Sequence, residues 1–413
     1  MPTDDRGGTV ALAYLLAGAG LAGFACLALM YGLEMDSVGA HVFGPLSDLG
    51  TPVWNLLLVP LLLTFYPLLK VTWFGRALTA ITIVLAVAGA GSSALLVTKT
   101  LTFAISTPIT VLGVLVQGLW LFTLTMWLRA VPGWPRWVLR LGLFIPVAQA
   151  IGAAFVGISL GFGWGSVPQV AIMAIGLVAG VPAWAAWPVW FLLVGRFLAG
   201  ADHSTVADVL DYQAGIRALC YVLAPLVSAE VILVALMYAI ETPSGNAPLF
   251  GPLSDIAALV VGFLIAPLIW ALSWPTLTSL PGRVLTWAVI GVSIAAATGT
   301  ALMIVDVVAF GVSTGISVAS YLLQTVWLLL LSGRWSSLRV ENGLVRLSRL
   351  IVWASLVGAA LAGTSLAFGW GTAPQVAIMI IGLVPGVAAY ASWPAWFTLL
   401  GRNLRLSSAG RRF

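Results

Sequence analysis

The sequence predicts an all-α membrane protein of twelve transmembrane helices, built as two parallel six-helix repeats about a pseudo-two-fold axis along the membrane normal. Two observations carry this. First, only 8% of residues are charged and the mean hydropathy is +1.09, whereas about a quarter of residues in an ordinary soluble domain are charged. Second, the chain is written twice. Phe43-Gly-Pro-Leu-Ser-Asp48 returns as Phe250 to Asp255, and Phe162-Gly-Trp-Gly165 with Pro168 to Met173 returns as Phe368 to Gly371 with Pro374 to Met379. The register between these anchors matches Arg76 with Arg283, Gln117 with Gln324 and Trp120 with Trp327, with a single-residue slip between Trp127 and Arg140.

Each span follows from an apolar run of about bilayer length, roughly 20 residues, bounded by polar punctuation. Span 9–31 lies between Arg6 and Glu34, and 50–69 between Asp48 and Lys70. Spans 77–98 and 107–128 run between Arg76 and Lys99 and up to Arg129. Span 139–161 ends at the Phe-Gly-Trp-Gly turn, and 168–194 runs from Pro168 to just before Arg196. The second set, 218–240, 256–274, 284–305, 314–332, 347–367 and 374–400, repeats the pattern. In lipid the backbone must satisfy its own hydrogen bonds, so these runs are helices. The repeats are assigned to 1–196 and 217–413, with a cytoplasmic linker at 197–216 in which Ser204 to Asp208 can start a surface helix. Six spans per repeat give both copies the same orientation, the parallel-repeat arrangement.

Of the 18 lysines and arginines, all but Lys99 fall at the termini or after even-numbered spans. By the positive-inside rule both termini are cytoplasmic, in a multi-pass protein of the plasma (bacterial inner) membrane. The +5 net charge is dispersed over short loops, so the expected partner is the lipid bilayer, with no nucleic acid. Cys26 and Cys220 sit inside different spans and argue against a disulfide framework.

Gly118-Leu-Trp-Leu-Phe122 closing the fourth span, then Pro135-Arg-Trp137 entering the fifth, resembles a family of six-span bacterial integral membrane proteins of unknown function, here in tandem duplication. The second half departs from it, with Thr325-Val-Trp-Leu-Leu329 and no proline before Arg346. The resemblance implies fold and location only.

The sharpest single residue is Glu230, placed by the seventh span's limits near the bilayer midplane, with glycine, Gly23, at the matching position. An ionisable group at that depth is costly and marks a functional site by default. Gln117, Gln324, Gln149 and Asn55 fall at similar depth and either join Glu230 in one polar site for substrate or coupling ion, or glue helices together. On the outer side lie Glu34, Asp36, Asp48, Lys99, Glu241, Asp255 and Asp306. Asp48 and Asp255 are read as caps of helix N-termini or as a cation-attracting mouth, Glu34 and Glu241 as solvated or held by a partner, and Lys99 as paired with one of the outer acids, Asp306 across the repeat interface being one choice. Ser166 to Gln169 and Thr372 to Gln375 read as capping boxes. Trp184, Trp187 and Trp190, recurring as Tyr390, Trp393 and Trp396, read as an inner interfacial belt, with an aromatic cage as the rival. Gly176 with Gly180, and Gly382 with Gly386, are GxxxG pairs for close helix packing.

Catalytic signatures are missing. Gly157-Ile-Ser-Leu-Gly161 matches G-x-S-x-G but lies within a span, and His41 and His203 fall on opposite sides of the membrane. No metal or cofactor motif is present, so no cofactor and no enzymatic activity are expected. The sequence points to a secondary transporter or permease of a small, apolar or cationic solute. The alternative is a non-catalytic membrane scaffold or regulatory subunit, and the third reading an intramembrane lipid-modifying enzyme.

Overall fold

A computed structural model describes residues 4–34, 41–159, 161–162, 166–200, 210–242, 248–338, 340, 342–365, 367–368 and 372–409. Among these, regular structure is exclusively helical. In chain order the helices are α1 (Asp5–Leu29, continuing as a π-helical turn Met30–Glu34), α2 (Phe43–Leu69), α3 (Trp73–Val97), α4 (Phe103–Leu128), α5 (Arg136–Ser159) and α6 (Val167–Gly200). They are followed by α7 (Tyr212–Leu236, with a π-helical turn Met237–Glu241), α8 (Phe250–Ser273), α9 (Leu280–Ile304), α10 (Phe310–Ser337), α11 (Asn342–Ser365), α12 (Ala373–Ala391) and α13 (Trp393–Ala409). Helices α12 and α13, parted at Ser392, form one apolar rod. Among the described residues, twelve spans are long and apolar enough to cross a bilayer, which fits a multi-pass membrane protein.

The chain divides into two compact units, Thr9–Gly215 and Met1–Gly8 with Ile216–Phe413. Helix α6 continues to Gly200, into the first residues of the segment assigned as the linker, 197–216. The proposed helix at Ser204 and the tight turns at 163–165 and 369–371 lie outside the described residues, as do Asp36 and His203. Local capping fixes the residues that lead into α7 and α1. Asp211 accepts the Ala214 N–H at 2.8 Å while its own N–H donates to Thr64 O of α2 at 3.1 Å, inside the first unit. In the second unit Asp4 repeats both contacts, with Gly7 N–H at 2.8 Å and with Ala271 O of α8 at 2.9 Å.

In the first unit α2 is the core helix, with Leu57, Leu61, Leu62 and Phe65 fully buried. In the second, α8 takes this place through Leu264, Leu268, Ile269 and Leu272. The other spans expose large apolar side chains such as Val84, Val178, Val284 and Val384, as lipid-facing surfaces do. Helices α5 and α6 cross at glycines: a Cβ on Gly152 would lie 2.9 Å from Gly176 O and Gly180 Cα. Helices α11 and α12 do the same at Gly358, 2.9 Å from Gly382 O and Gly386 N. The GxxxG pairs are therefore packing surfaces.

Two readings of the loop ends need correction, the Asp48 and Asp255 caps and the Thr372 cap. Asp48 and Asp255 are not N-caps; α2 and α8 begin five residues earlier, at Phe43 and Phe250. The capping carboxylates are Glu34 and Glu241. Glu34 accepts the N–H groups of Val42 at 2.5 Å, Phe43 at 2.8 Å and Gly44 at 3.3 Å. Glu241 accepts those of Leu249, Phe250 and, at 3.2 Å, Gly251. Each acid ends one helix yet satisfies the free donors of the next, where the helix dipole favours negative charge. Lys99 and Asp306 share a backbone role: both have φ of 59° and are exposed. Each closes its helix by a left-handed turn, with Thr100 and Leu101 N–H donating to Leu95 O and Val307 and Val308 N–H to Leu302 O. Their charges are not needed for that role. Finally, Ser166 caps Gln169 N–H at 3.4 Å, but the Thr372 side chain makes no cap bond to α12.

Candidate functional site

The site lies within the first unit. Asn55, on α2, is buried because α2 is the core helix, and Gly89 of α3 leaves room for its amide: a Cβ there would stand 3.0 Å from Asn55 Nδ2. Gln117 of α4 donates from Nε2 to Asn55 Oδ1 at 2.9 Å, a bond buried between the helices. Gln149 of α5 rests its Oε1 over Gly118 of α4, at 2.8 Å from where a Cβ would be. Neither its Oε1 nor its Nε2 has a hydrogen-bond partner, although the residue is only 5% exposed. Such buried orphans are rare and call for an explanation.

These three amides line one cavity of about 140 Å³. Trp54, Trp184, Trp187 and Pro188 form an apolar wall. Trp54 meets Trp187 edge-on at 6.3 Å and Phe191 at 5.2 Å, fixing the wall's shape. Gly23 and Gly50 open the space, since a Cβ on either would meet nothing within 4 Å. Among the described residues, none that lines the cavity is charged. The belt reading of the tryptophans fails here: Trp187 and Trp190 are buried, as are Trp393 and Trp396 in the second unit, and only Trp184 is half exposed. Packing against Phe191 and Phe397 claims rings that an interfacial belt would leave at the headgroups.

The polar residues expected to form one site are therefore divided. Asn55, Gln117 and Gln149 converge; Gln324 and Glu230 belong to the second unit and do not line this cavity. There Gln324 donates to Ser293 Oγ at 3.0 Å and Ser320 Oγ at 3.2 Å. The divergence has a simple cause: the position matching Asn55 is Gly262, while those matching Ser293 and Ser320 are Ala86 and Gly113. Glu230 is buried in the same unit beside Tyr390, its side-chain hydrogen-bonding neighbour, and within interaction range of Asp255. Its Oε2 is unpaired. Tyr390 meets Tyr321 edge-on at 5.8 Å, and Tyr321 Oη shares a hydrogen bond with Ser355 Oγ at 2.7 Å. By sequence register these side chains stand where the first unit has Gly23, Trp184, Val114 and Gln149 of the cavity wall. The glycine openings and Trp54 were missed in the sequence; the close run of Gly18, Gly20 and Gly23 on one span was the available signal.

Elsewhere, Ser159 of the G-x-S-x-G match is fully buried and donates to Val156 O at 2.6 Å, a helix-internal bond. Cys26 and Cys220 are free thiols.

No family model matches the chain, and neither a curated protein nor a solved structure is significantly similar to it. The resemblance to six-span bacterial membrane proteins accordingly adds nothing to the reading of the site.

Proposed function

We propose that the protein is a secondary transporter or permease of a small solute, with the amide-lined cavity of the first unit as the solute site and Glu230 as the coupling carboxylate. The observation that carries this is the cavity itself: a preformed space, an aromatic wall and the edge of the buried Asn55–Gln117 amide pair. In this reading the halves are an internal repeat about an axis along the membrane normal. The paired local geometries of Asp4 and Asp211, Glu34 and Glu241, Lys99 and Asp306, and Gly152 and Gly358 support it. The membrane is the plasma (bacterial inner) membrane and both termini are cytoplasmic.

Flux tests the function. Proteoliposomes challenged with glycerol, urea and tetramethylammonium in stopped-flow light scattering should show saturable, protein-dependent permeation of at least one probe. Glu230→Gln, which keeps the side chain's shape, should fold normally and remove any response to an imposed proton gradient. If folded protein moves none of the probes, the scaffold reading takes over. Orientation has its own expected result: in intact cells, cysteines replacing Ser166 and Thr372 react with an impermeant maleimide, and one replacing Gly133 does not. The reverse pattern would overturn the topology.

A further inference from the structure

We propose that the cavity of the first unit binds a small neutral solute bearing a primary amide or urea group, held at the paired edge of Asn55 and Gln117. The proposal rests on the cavity being a solute site and names what fills it.

Charge is the first argument. Among the described residues no Asp, Glu, Lys, Arg or His lines the space, and an ion transferred there would lose its hydration without a counter-charge to replace it. This narrows the solute expected from sequence, since a cation has no counter-charge in the wall.

Hydrogen-bonding capacity is the second. Asn55 and Gln117 use one acceptor and one donor on each other. Among the described residues Asn55 Nδ2 and Gln117 Oε1 then have no protein partner, so the pair offers one donor beside one acceptor. Exchanging O and N in both amides leaves the same offer, so the conclusion does not depend on how the amides are assigned. A primary amide or urea presents the complementary acceptor and donor on adjacent atoms. Gln149 also lines the space, but its two amide atoms are sealed from it. A purely apolar solute would leave the pair's donor and acceptor unmet, which disfavours it.

Size and wall chemistry complete the description. A cavity of about 140 Å³ is close to the roughly 150 Å³ that accommodates benzene, which sets the solute at about six heavy atoms. Trp54 and Trp187 suit a short alkyl or flat apolar remainder.

The test is equilibrium binding of radiolabelled propionamide to the purified full-length protein, with urea, propionate, propylammonium and benzene as competitors. Propionamide should bind, urea should compete, and the two ions and benzene should compete far less well. Gln117→Leu should weaken binding about tenfold, the usual cost of one lost partner in a buried site. Gly23→Leu fills open space and should abolish binding without lowering the thermal midpoint. This second kind of variant keeps the test valid if an amide substitution fails to fold. If an ion or benzene binds as tightly as propionamide, the amide assignment falls and the solute site stands. If none of the probes binds, or if Gly23→Leu leaves binding unchanged, the solute-site reading itself falls.

Discussion

Alanine at Gly152 or Gly358 is expected to destabilise the protein by about 1–3 kcal/mol, the usual cost of overpacking a tight interior. At both positions the new methyl would meet backbone, not flexible side chain. For Gly152 the nearest atoms are Gly176 O and Gly180 Cα at 2.9 Å and Gly180 N at 3.0 Å; for Gly358 they are Gly382 O and Gly386 N at 2.9 Å and Gly386 Cα at 3.0 Å. A helix backbone cannot yield locally, so the whole crossing must widen, and the packing that holds α5 on α6 and α11 on α12 is lost along its length. Leucine should cost more than alanine at each site. The control lies on the same helices: Gly157→Ala and Gly363→Ala meet nothing within 4 Å and should be neutral or slightly stabilising, because alanine is the better helix former. Thermal unfolding in detergent reads all four. Equal midpoints for Gly152→Ala and Gly157→Ala would show that the crossing does not depend on glycine.

Removing the carboxylate of Glu34 or Glu241 should cost nearly as much, because each caps a core helix of its unit. Glu34→Ala strands the N–H groups of Val42, Phe43 and Gly44, and Glu241→Ala those of Leu249, Phe250 and Gly251. Glutamine should fall between wild type and alanine, since it keeps one acceptor but turns an NH₂ group toward donors and gives up the charge that the helix N-terminus favours. The contrast is with Asp48→Asn and Asp255→Asn. Both acids sit in the second turn of the same helices, past the free donors, and their substitution should barely move the midpoint. A larger drop for Asp48→Asn than for Glu34→Gln would return the capping role to Asp48.

The fate of these acids marks where sequence reasoning stopped. Glu34 ends one hydrophobic run and Asp48 stands near the start of the next, so proximity in sequence favoured Asp48 as the cap. The carboxylate that arrives there stands eight to ten positions earlier in the chain than the donors it accepts, and that approach is not written in composition. Lys99 and Asp306 were read by charge, whereas what they share is a backbone angle. The tryptophan stripe had the same ambiguity: spacing of three serves a belt or a core, and only burial separates the two.

By itself the sequence determined the twelve apolar spans and the glycine pairs that pack them. Hydropathy is a sum over one segment, and a GxxxG surface is a property of a single helix. It also singled out Asn55, Gln117, Gln149, Gln324 and Glu230 as polar residues inside spans. Only the tertiary structure decided which of them meet. Gln117 and Gln324 have matching positions in the repeated sequence, yet one bonds Asn55 beside a cavity and the other bonds two serines. The difference lies on other helices, in Asn55 against Gly262 and in Ala86 and Gly113 against Ser293 and Ser320. A buried amide takes whichever partner the neighbouring helices place within about 3 Å, and that distance exists only once the helices have packed.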